Sequence, residues 1–502
     1  MRAEKLPSIL KVWIVCTLCL LVIVMNADVG SAKNDYNALN QIIEQQMKKG
    51  KIPGMSVVVV KGDTVIYSKG IGHINDHSNK MVTSSTLFEL GSTSKAFTSL
   101  AILTLAQNEK IDLKAPVSRY IPGFHAMYHG EKQEITIEQL IHHTSGIPLS
   151  SIARIKADSS EKALQHTVEN ISGIELDRKP GTAFQYATIN YDVLGYIIQK
   201  ISRQTYEEYI TEQIFKPLNL SRTYAGRQDV YKDEFAEGFK LNFFKASAYE
   251  APEYKGNTPA GYIIMNANDL AKWLQYQLNE NNSIIKKSHE PDLKVRTEEY
   301  GVYYNYGWYI KKDKYHTQEL FHGGSNPNYS SFFIIRPEEN LAIGVLANMN
   351  SAYTELAARK VLHTVANEKA NSNMTDPFQF IDALSVIVFI LCIFVNFIIT
   401  YRAFVFIKEM HRGIRGWQVL NRRVVLSIAM WFFILILGFL IPSLISQVFF
   451  KGLPWDLILI WGPYSLRYLS IGFYVMLIGV CLFRIIKSFT KLETKRGKVY
   501  EC

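Results

Sequence analysis

Continuous apolar runs fill the last part of the chain, whereas apolar and polar residues alternate over most of what precedes them. The three runs cover residues 383–401, 424–449 and 457–483. Each is long enough to cross a bilayer, which takes about 20 apolar residues. A polar stretch at 369–382 is typical of a linker. We therefore predict one domain at 33–368, followed by three transmembrane helices.

Within residues 33–368, strand-like patterns lie at both ends and helical patterns lie between them. The early segments 55–60 and 64–67 are rich in β-branched residues and are separated by a short turn. Apolar residues recur with helical spacing at 34–49 and through the centre. Strand patterns return at 307–310, 330–335 and 341–346. This order predicts an α+β fold, in which one sheet is assembled from both chain ends beside a helical region.

The first 32 residues predict a secretory signal peptide. Arg2, Lys5 and Lys11 precede an apolar run at 12–25, and small residues follow at 30–32. An uncleaved membrane anchor is the alternative. Both interpretations export the domain that follows.

The formal charge of +10 indicates how the predicted membrane helices are oriented and does not indicate a nucleic-acid ligand. Much of the excess lies beside the apolar runs, at 402–423 and 484–498, while 451–456 is nearly neutral. Basic residues mark the cytoplasmic side of membrane helices, so we expect a cytoplasmic tail at 484–502 and a domain outside the cell. No basic stripe or nucleic-acid reader motif accompanies this charge, and nucleic acid is not an expected partner.

Cysteine usage narrows the chemistry available to the domain. The cysteines lie at positions 16, 19, 392, 481 and 502, so residues 33–391 contain none. A disulfide framework, a CxxC zinc site and a cysteine nucleophile are therefore excluded from that region. We expect neither a metal nor an organic cofactor.

A serine followed three residues later by a lysine occurs five times, at Ser8, Ser92, Ser159, Ser283 and Ser488. Only Ser92 opens a long apolar helical pattern, at 93–107. A helix N-terminus favours a developing oxyanion. Lys95 lies one turn further on the same face, where a neutral lysine can accept the serine proton. The structural alternatives are an N-cap for Ser92 and a solvated surface residue for Lys95.

Two later segments carry further candidate chemistry. Tyr186 lies at a predicted loop tip just after Lys179-Pro180-Gly181, and a tyrosine there acts as a general base if its pKa is lowered. The glycines of His322-Gly323-Gly324-Ser325, between two strand patterns, let a substrate backbone lie along an exposed strand edge. The structural alternatives are a packed aromatic residue and a simple Gly-Gly turn with a surface histidine.

Taken in this order, Ser92-Thr93-Ser94-Lys95, Tyr186-Ala187-Thr188 and His322-Gly323-Gly324 resemble the serine β-lactamase and penicillin-binding family, in its class C branch. The resemblance spans about residues 35–366. It implies a class C β-lactamase-like antiparallel sheet flanked by helices, with Ser92 as nucleophile and with Lys95 and Tyr186 sharing proton transfer. It also implies an oxyanion hole formed by the backbone N–H groups of Ser92 and Ser325. Thr188 replaces the family's asparagine and His322 its lysine, and both departures count against β-lactam hydrolysis.

Within that branch, the segments 89–98, 186–195, 322–328 and 347–351 resemble the membrane-bound peptidases that mature prodrug antibiotics and genotoxins, the colibactin and zwittermicin type. That resemblance implies removal of an N-acyl-D-asparagine cap from an exported nonribosomal peptide or polyketide prodrug. It implies substrate-binding roles for Thr188, Asn257, His322, Ser325 and Asn326. The expected partners are the prodrug and the bacterial cytoplasmic membrane, and a homodimer or an export transporter remains open.

Two other classes of function remain. A D,D-carboxypeptidase, an esterase or a β-lactamase would use the same serine, lysine and tyrosine. A membrane sensor that binds a cell-wall ligand would need no catalytic group, and the intact set of three argues against it. The three spans are interpreted as an anchor that contributes no catalytic side chain.

Overall fold

A computed structural model describes residues 36–228, 230, 234–312, 317–369 and 374–493. The predicted signal peptide and the last residues of the predicted tail lie outside the described residues. A helix at 36–50 confirms the first helical pattern. The early hairpin is also confirmed, with strands Gly54–Lys61 and Thr64–Gly72.

The main sheet has seven antiparallel strands drawn from both ends of the domain, as the sequence predicts. In spatial order they are Val302–Asn305, Trp308–Lys312, Gln318–Asn326, Tyr329–Arg336, Leu341–Ala347, Gly54–Lys61 and Thr64–Gly72. Two of them, Val302–Asn305 and Gln318–Asn326, were not predicted as strands. The second corrects the placing of His322-Gly323-Gly324, which lies inside a strand and not between strands.

Each face of the sheet contributes to a separate apolar core. Val58 and Val60 belong to the core shared with the helical region, whereas Val57 and Val59 face the helices at 36–50 and Tyr353–Val365. This alternation is the two-residue period of a strand buried on both sides. The helices of the helical region are Lys95–Gln107, Ile137–Ile141, Ala163–Glu169, Ile189–Ser202, Tyr206–Ile210, Thr258–Gly261, Ala267–Gln277 and Ser283–His289.

Smaller ladders complete the domain. One three-stranded sheet contains Phe88–Glu89, Ile263–Met265 and Tyr224–Ala225. A second contains Glu131–Gln133, Ala126–Tyr128 and Ile174–Glu175. A two-stranded hairpin pairs Phe239–Asn242 with Lys245–Ala248. We call the last pair the border hairpin, because it packs against the C-terminal helices.

Three helices are long and apolar enough to cross a membrane, Pro377–His411, Arg422–Phe449 and Ser465–Ser488. The first begins inside the predicted linker, because Asp376 caps its N-terminus by accepting a hydrogen bond from the Phe378 N–H. The third predicted span, 457–483, is two helices. Gly462 and Pro463 interrupt it, so a short helix at Trp455–Trp461 precedes the long one.

Buried polar contacts hold these helices against the domain. Asp382, 1% exposed, accepts hydrogen bonds from the Phe244 N–H at 2.7 Å and from the Ser465 hydroxyl at 2.6 Å. The Tyr464 N–H donates to the carbonyl of Leu241 at 2.7 Å. The first and third long helices and the border hairpin therefore meet at one carboxylate.

We expect Asp382→Ala to destabilise the full-length protein. The change leaves the buried Ser465 hydroxyl and the partly buried Phe244 N–H without their acceptor, and the loss at the buried hydroxyl alone costs about 1–3 kcal/mol. Thermal unfolding in detergent measures the loss. The matched control is Asp456→Ala, an exposed aspartate at the same border, with an expected effect within about 0.5 kcal/mol. Equal melting temperatures for the two variants would contradict a docking role for Asp382.

Candidate active site

Ser92 lies in a tight turn of helix, Gly91–Ser94, that leads directly into the Lys95–Gln107 helix. Gly91 has a φ of +59°, and a Cβ there would lie 2.4 Å from the backbone nitrogen of Ser325. Only glycine permits this approach. The turn and the Gln318–Asn326 strand are thus packed backbone to backbone, which brings together two segments that the sequence singled out separately.

Lys95 is fully buried, and its ammonium group points at the nucleophile. Nζ lies 3.0 Å from Ser92 Oγ, 3.1 Å from Thr188 Oγ1 and 2.7 Å from the carbonyl oxygen of Ala260. Burial lowers the pKa of Lys95 to about 7, against the opposing charge of Asp192. A lysine with such a pKa is partly neutral near physiological pH and can accept the Ser92 proton. The solvated-surface alternative for Lys95 is wrong.

Asp192 is a member of this site that sequence reasoning missed. It is fully buried, and burial raises its pKa well above the usual range while the charge of Lys95 opposes that rise. With its amide turned to donate, Asn257 Nδ2 lies 3.0 and 2.9 Å from the two carboxyl oxygens. Thr188 and Asp192 are four residues apart on one helical face, and this spacing could have indicated from the sequence that Asp192 belongs to the site.

Tyr186 lies beside Lys95, with Nζ 5.2 Å from the ring centroid. Burial raises the pKa of Tyr186 well above its usual value, Tyr309 adds to the rise, and the Ser92 hydroxyl opposes it. The condition under which Tyr186 would act as a general base, a lowered pKa, is not met in the free protein. A protonated phenol beside Ser92 is suited to relaying a proton and not to removing the first one.

His322 is buried and neutral. Burial and the nearby Lys95 lower its pKa to about 3, and its Nε2 lies 3.2 Å from the Tyr304 hydroxyl. The surface-histidine alternative is wrong. An uncharged imidazole at this position offers no positive charge to a substrate carboxylate.

His143 supports the segment that carries Tyr186. Its Nδ1 accepts hydrogen bonds from Asn190 Nδ2 at 2.9 Å and from the Ala187 N–H at 3.3 Å. Its ring lies 4.3 Å from that of Tyr186, centroid to centroid. The sequence analysis gave His143 no role, because the residues that it supports lie more than forty positions away.

The Gln318–Asn326 strand has a half-open edge beside Ser92. Its neighbour Trp308–Lys312 pairs with it only from Gln318 to Phe321, whereas Tyr329–Arg336 follows it to Asn326. In these registers, residues 322–326 are paired on one side only. Gly323 and Ser325 are exposed there, and this is the edge along which an extended substrate backbone is predicted to lie.

The amide groups of Asn326 and Asn257 make hydrogen bonds inside the protein, and their predicted substrate-binding roles stay predictions. Asn326 Nδ2 donates to Glu89 at 2.7 Å and to the Gly261 carbonyl at 3.0 Å. Glu89 is fully buried and paired with Arg227 at 2.6 Å. Both amide hydrogens of Asn326 are thus already used inside the protein, and the Asn257 amide faces Asp192. Thr188, which also has a predicted substrate-binding role, lies beside the nucleophile, with its hydroxyl 3.1 Å from Lys95 Nζ.

A cleft of about 820 Å³ opens next to Tyr186 and Tyr309. It extends to Met374, just before the first long helix, and to Lys451, just after the second. The cleft therefore runs from Tyr186 to the domain–helix border, and Ser92 and Lys95 are not among the residues that line it. A separate group, Asp76, His77 and Glu237, brings three potential metal-ligand atoms within 4.8 Å of one another. None of these three residues contributes to the contacts around Ser92 described above.

Comparisons with known proteins agree with the fold described above. The sequence model of the β-lactamase family matches residues 39–366. Protein flp of Staphylococcus aureus is 30% identical over 467 residues, covering 90% of this chain and 91% of that protein. The putative penicillin-binding protein PbpX of Bacillus subtilis is 31% identical over 288 residues, 57% of this chain and 68% of that protein.

Two solved structures share the fold. The octameric penicillin-binding protein homologue from Pyrococcus abyssi is 26% identical, with a TM-score of 0.61 over 70% of this chain and 81% of that one. EstCE1, a hydrolase with promiscuous acyltransferase activity, is 19% identical, with a TM-score of 0.58 over 66% of this chain and 99% of that one. The latter likeness concerns the fold alone.

We expect a fluorophosphonate probe to label Ser92. Ser92→Ala should abolish both labelling and turnover while leaving the fold intact by circular dichroism, because it removes the hydroxyl that lies 3.0 Å from Lys95 Nζ at the start of the Lys95–Gln107 helix. Fragment mass spectrometry locates the adduct. Ser159→Ala, an exposed serine with the same downstream lysine spacing, is the control. An adduct on Ser94 or Ser325 would overturn the assignment.

We expect Lys95 and Tyr186 to act as one proton-transfer unit. Lys95→Ala and Tyr186→Phe should each lower kcat by on the order of 10²-fold, the usual size of a general-base loss. The double variant should be little worse than either single variant, because residues that act as a unit have non-additive losses. Lys162→Ala serves as the control. Losses that multiply would show that the two groups act independently.

Proposed function

Since the chain belongs to the β-lactamase family of serine hydrolases, we propose that it cleaves an amide bond through an acyl-enzyme on Ser92, and that its substrate is an exported prodrug capped with N-acyl-D-asparagine. The observation that carries the catalytic part is the buried Lys95, 3.0 Å from Ser92 Oγ and with a pKa near 7. The substrate part rests on the sequence resemblance described above and on the shape and position of the cleft.

The proposed reaction proceeds in two steps. Neutral Lys95 takes the Ser92 proton as Oγ attacks the amide carbonyl. The backbone N–H groups of Ser92 and Ser325 stabilise the resulting oxyanion. Tyr186 passes a proton to the departing amine as the carbon–nitrogen bond breaks. Water then attacks the ester, with the same groups acting in reverse, and releases the acyl-D-asparagine.

Three features support a peptide-like, amphiphilic substrate. The half-open strand edge accepts an extended backbone, and Thr188 presents a hydroxyl next to the reacting atoms. The cleft leads from Tyr186 to the domain–helix border. A fatty acyl chain gains about 0.8 kcal/mol per buried CH₂ in a membrane, so a capped prodrug would reach this cleft from the bilayer surface.

We place the catalytic domain on the outer side of the cytoplasmic membrane. The three long apolar helices support membrane insertion. The support for the orientation is the basic stretch between the first and second helices, which includes Arg412, Arg415, Arg422 and Arg423. In this arrangement the domain meets substrates only after they have been exported.

A penicillin-recognising hydrolase of D-alanyl peptides is the second candidate. It is favoured by the similarity to PbpX, whose name is that of a penicillin-binding protein. The burial of His322 counts against it, because a neutral imidazole in the free protein offers a terminal carboxylate less electrostatic attraction than the lysine that it replaces.

Substrate profiling separates the two candidates. We expect an acyl-D-Asn anilide to be cleaved at least about tenfold faster than its L-Asn, D-Leu and D-Ala counterparts, because a site that pairs with a primary amide leaves polar groups unsatisfied when the amide is missing. The measurement is kcat/KM on the purified full-length protein. Equal rates for D-Asn and L-Asn would reject the prodrug proposal, and preference for D-Ala peptides would establish the second candidate.

A further inference from the structure

Lys240 of the border hairpin is buried at the contact between the domain and the C-terminal helices. It is 3% exposed, and Nζ donates to the carbonyl oxygens of Leu459 at 3.0 Å and Ile460 at 2.8 Å. These carbonyls belong to the last turn of the Trp455–Trp461 helix, where a cation is favoured. Burial and the charge of Arg467 lower the pKa of Lys240 to about 7. The hydrogen bonds to the two carbonyl oxygens offset the cost of burying this amine.

The same amine lies against Tyr249, 4.2 Å from the ring centroid. The Tyr249 carbonyl in turn accepts a hydrogen bond from Asn328 Nδ2 at 2.7 Å. A Cβ on Gly238 would lie 2.0 Å from that Nδ2, so Asn328 is held tightly by the chain that enters the border hairpin. We call Lys240, Tyr249 and Asn328 the border cluster.

Asn328 lies in the two-residue turn that joins the Gln318–Asn326 and Tyr329–Arg336 strands. The register pairs Asn326 with Tyr329, so Pro327 and Asn328 form the turn. Ser325 is two positions before Pro327, which is about 7 Å of strand. The turn is thus the nearest part of the chain in sequence, beyond Asn326, to the backbone nitrogen that packs on Gly91.

We propose that the border cluster positions the turn at Pro327-Asn328, and that the C-terminal helices thereby hold the Ser325 N–H in its place beside Ser92. Lys240, Tyr249 and Asn328 are positioning residues, since none of them touches the reacting atoms. The proposal rests on the acyl-enzyme mechanism above. It replaces the interpretation of the three helices as a passive anchor.

The physical reason is the sensitivity of an oxyanion hole to geometry. Loss of one donor costs about 10²–10³-fold in kcat, and a misplacement of about 1 Å far from the chemistry costs on the order of 10²-fold. Such a defect affects the transition state more than the bound substrate. Disturbing the border cluster should thus lower kcat and leave KM almost unchanged.

The test uses the full-length protein in detergent micelles with a small, water-soluble chromogenic ester. Wild type is first labelled with the fluorophosphonate probe, since failure to label Ser92 would refute the proposed function and not the positioning role. Lys240→Met removes the donors and keeps most of the stem. We expect kcat to fall about tenfold or more with KM within about twofold. Lys245→Met, an exposed lysine of the same hairpin, should match wild type.

Asn328→Ala removes the hydrogen bond between Asn328 and the Tyr249 carbonyl. It changes the border cluster next to the catalytic strand and alters no residue of the C-terminal helices. We expect the same loss in kcat. The kcat of the Lys240→Met/Asn328→Ala double variant should be no lower than that of the less active single variant. A lowered melting temperature with unchanged kcat in both single variants would overturn the proposal, leaving only a structural role. Losses that multiply in the double variant would also overturn it, because the two residues would then act separately.

Discussion

The site depends on the burial of one ammonium group. Lys95 has lost all contact with bulk water, and its hydrogen bonds go to Ser92, Thr188 and the Ala260 carbonyl. Burial without a directly bonded carboxylate makes the charged form costly, which turns an ordinary lysine into a base that works near neutral pH. Asp192 lies close enough to moderate this cost, and Asn257 holds Asp192 in turn.

Other buried groups fix the parts that surround this lysine. His143 holds the segment that carries Tyr186 and Asn190, while Glu89, Arg227 and Asn326 secure the end of the Gln318–Asn326 strand. The domain and the apolar helices then share a border of buried polar contacts through Asp382 and Lys240. The Gln318–Asn326 strand ends in a turn near this border, and through that turn the proposed positioning role links the C-terminal helices with the active-site geometry.

Much of this was readable from the sequence, since local context separates Ser92 from four other serines with the same lysine spacing. The fold class and the sheet drawn from both chain ends were also predictable, because β-branched runs mark most strands. The Gln318–Asn326 strand was hidden by its glycines, which carry no side-chain pattern. The tasks of Asn326, Asn257 and His143 depend on partners far away in the chain, and spacing alone does not encode them. Gly462 and Pro463 are typical helix breakers, but the last apolar run was predicted as one span because its overall hydrophobicity is high.

The most direct test of the account is the pH dependence of kcat/KM, which reports the ionisation of groups in the free enzyme. If neutral Lys95 removes the Ser92 proton, the rate is low while Lys95 is protonated and rises with pH, with a midpoint at about 7. The measurement uses the full-length protein with a substrate that does not ionise between pH 5 and 10. A rise with a midpoint at about 7 agrees with the account. A midpoint near the ordinary lysine value of 10.5, or a rate that falls as the pH rises through 7, would contradict it.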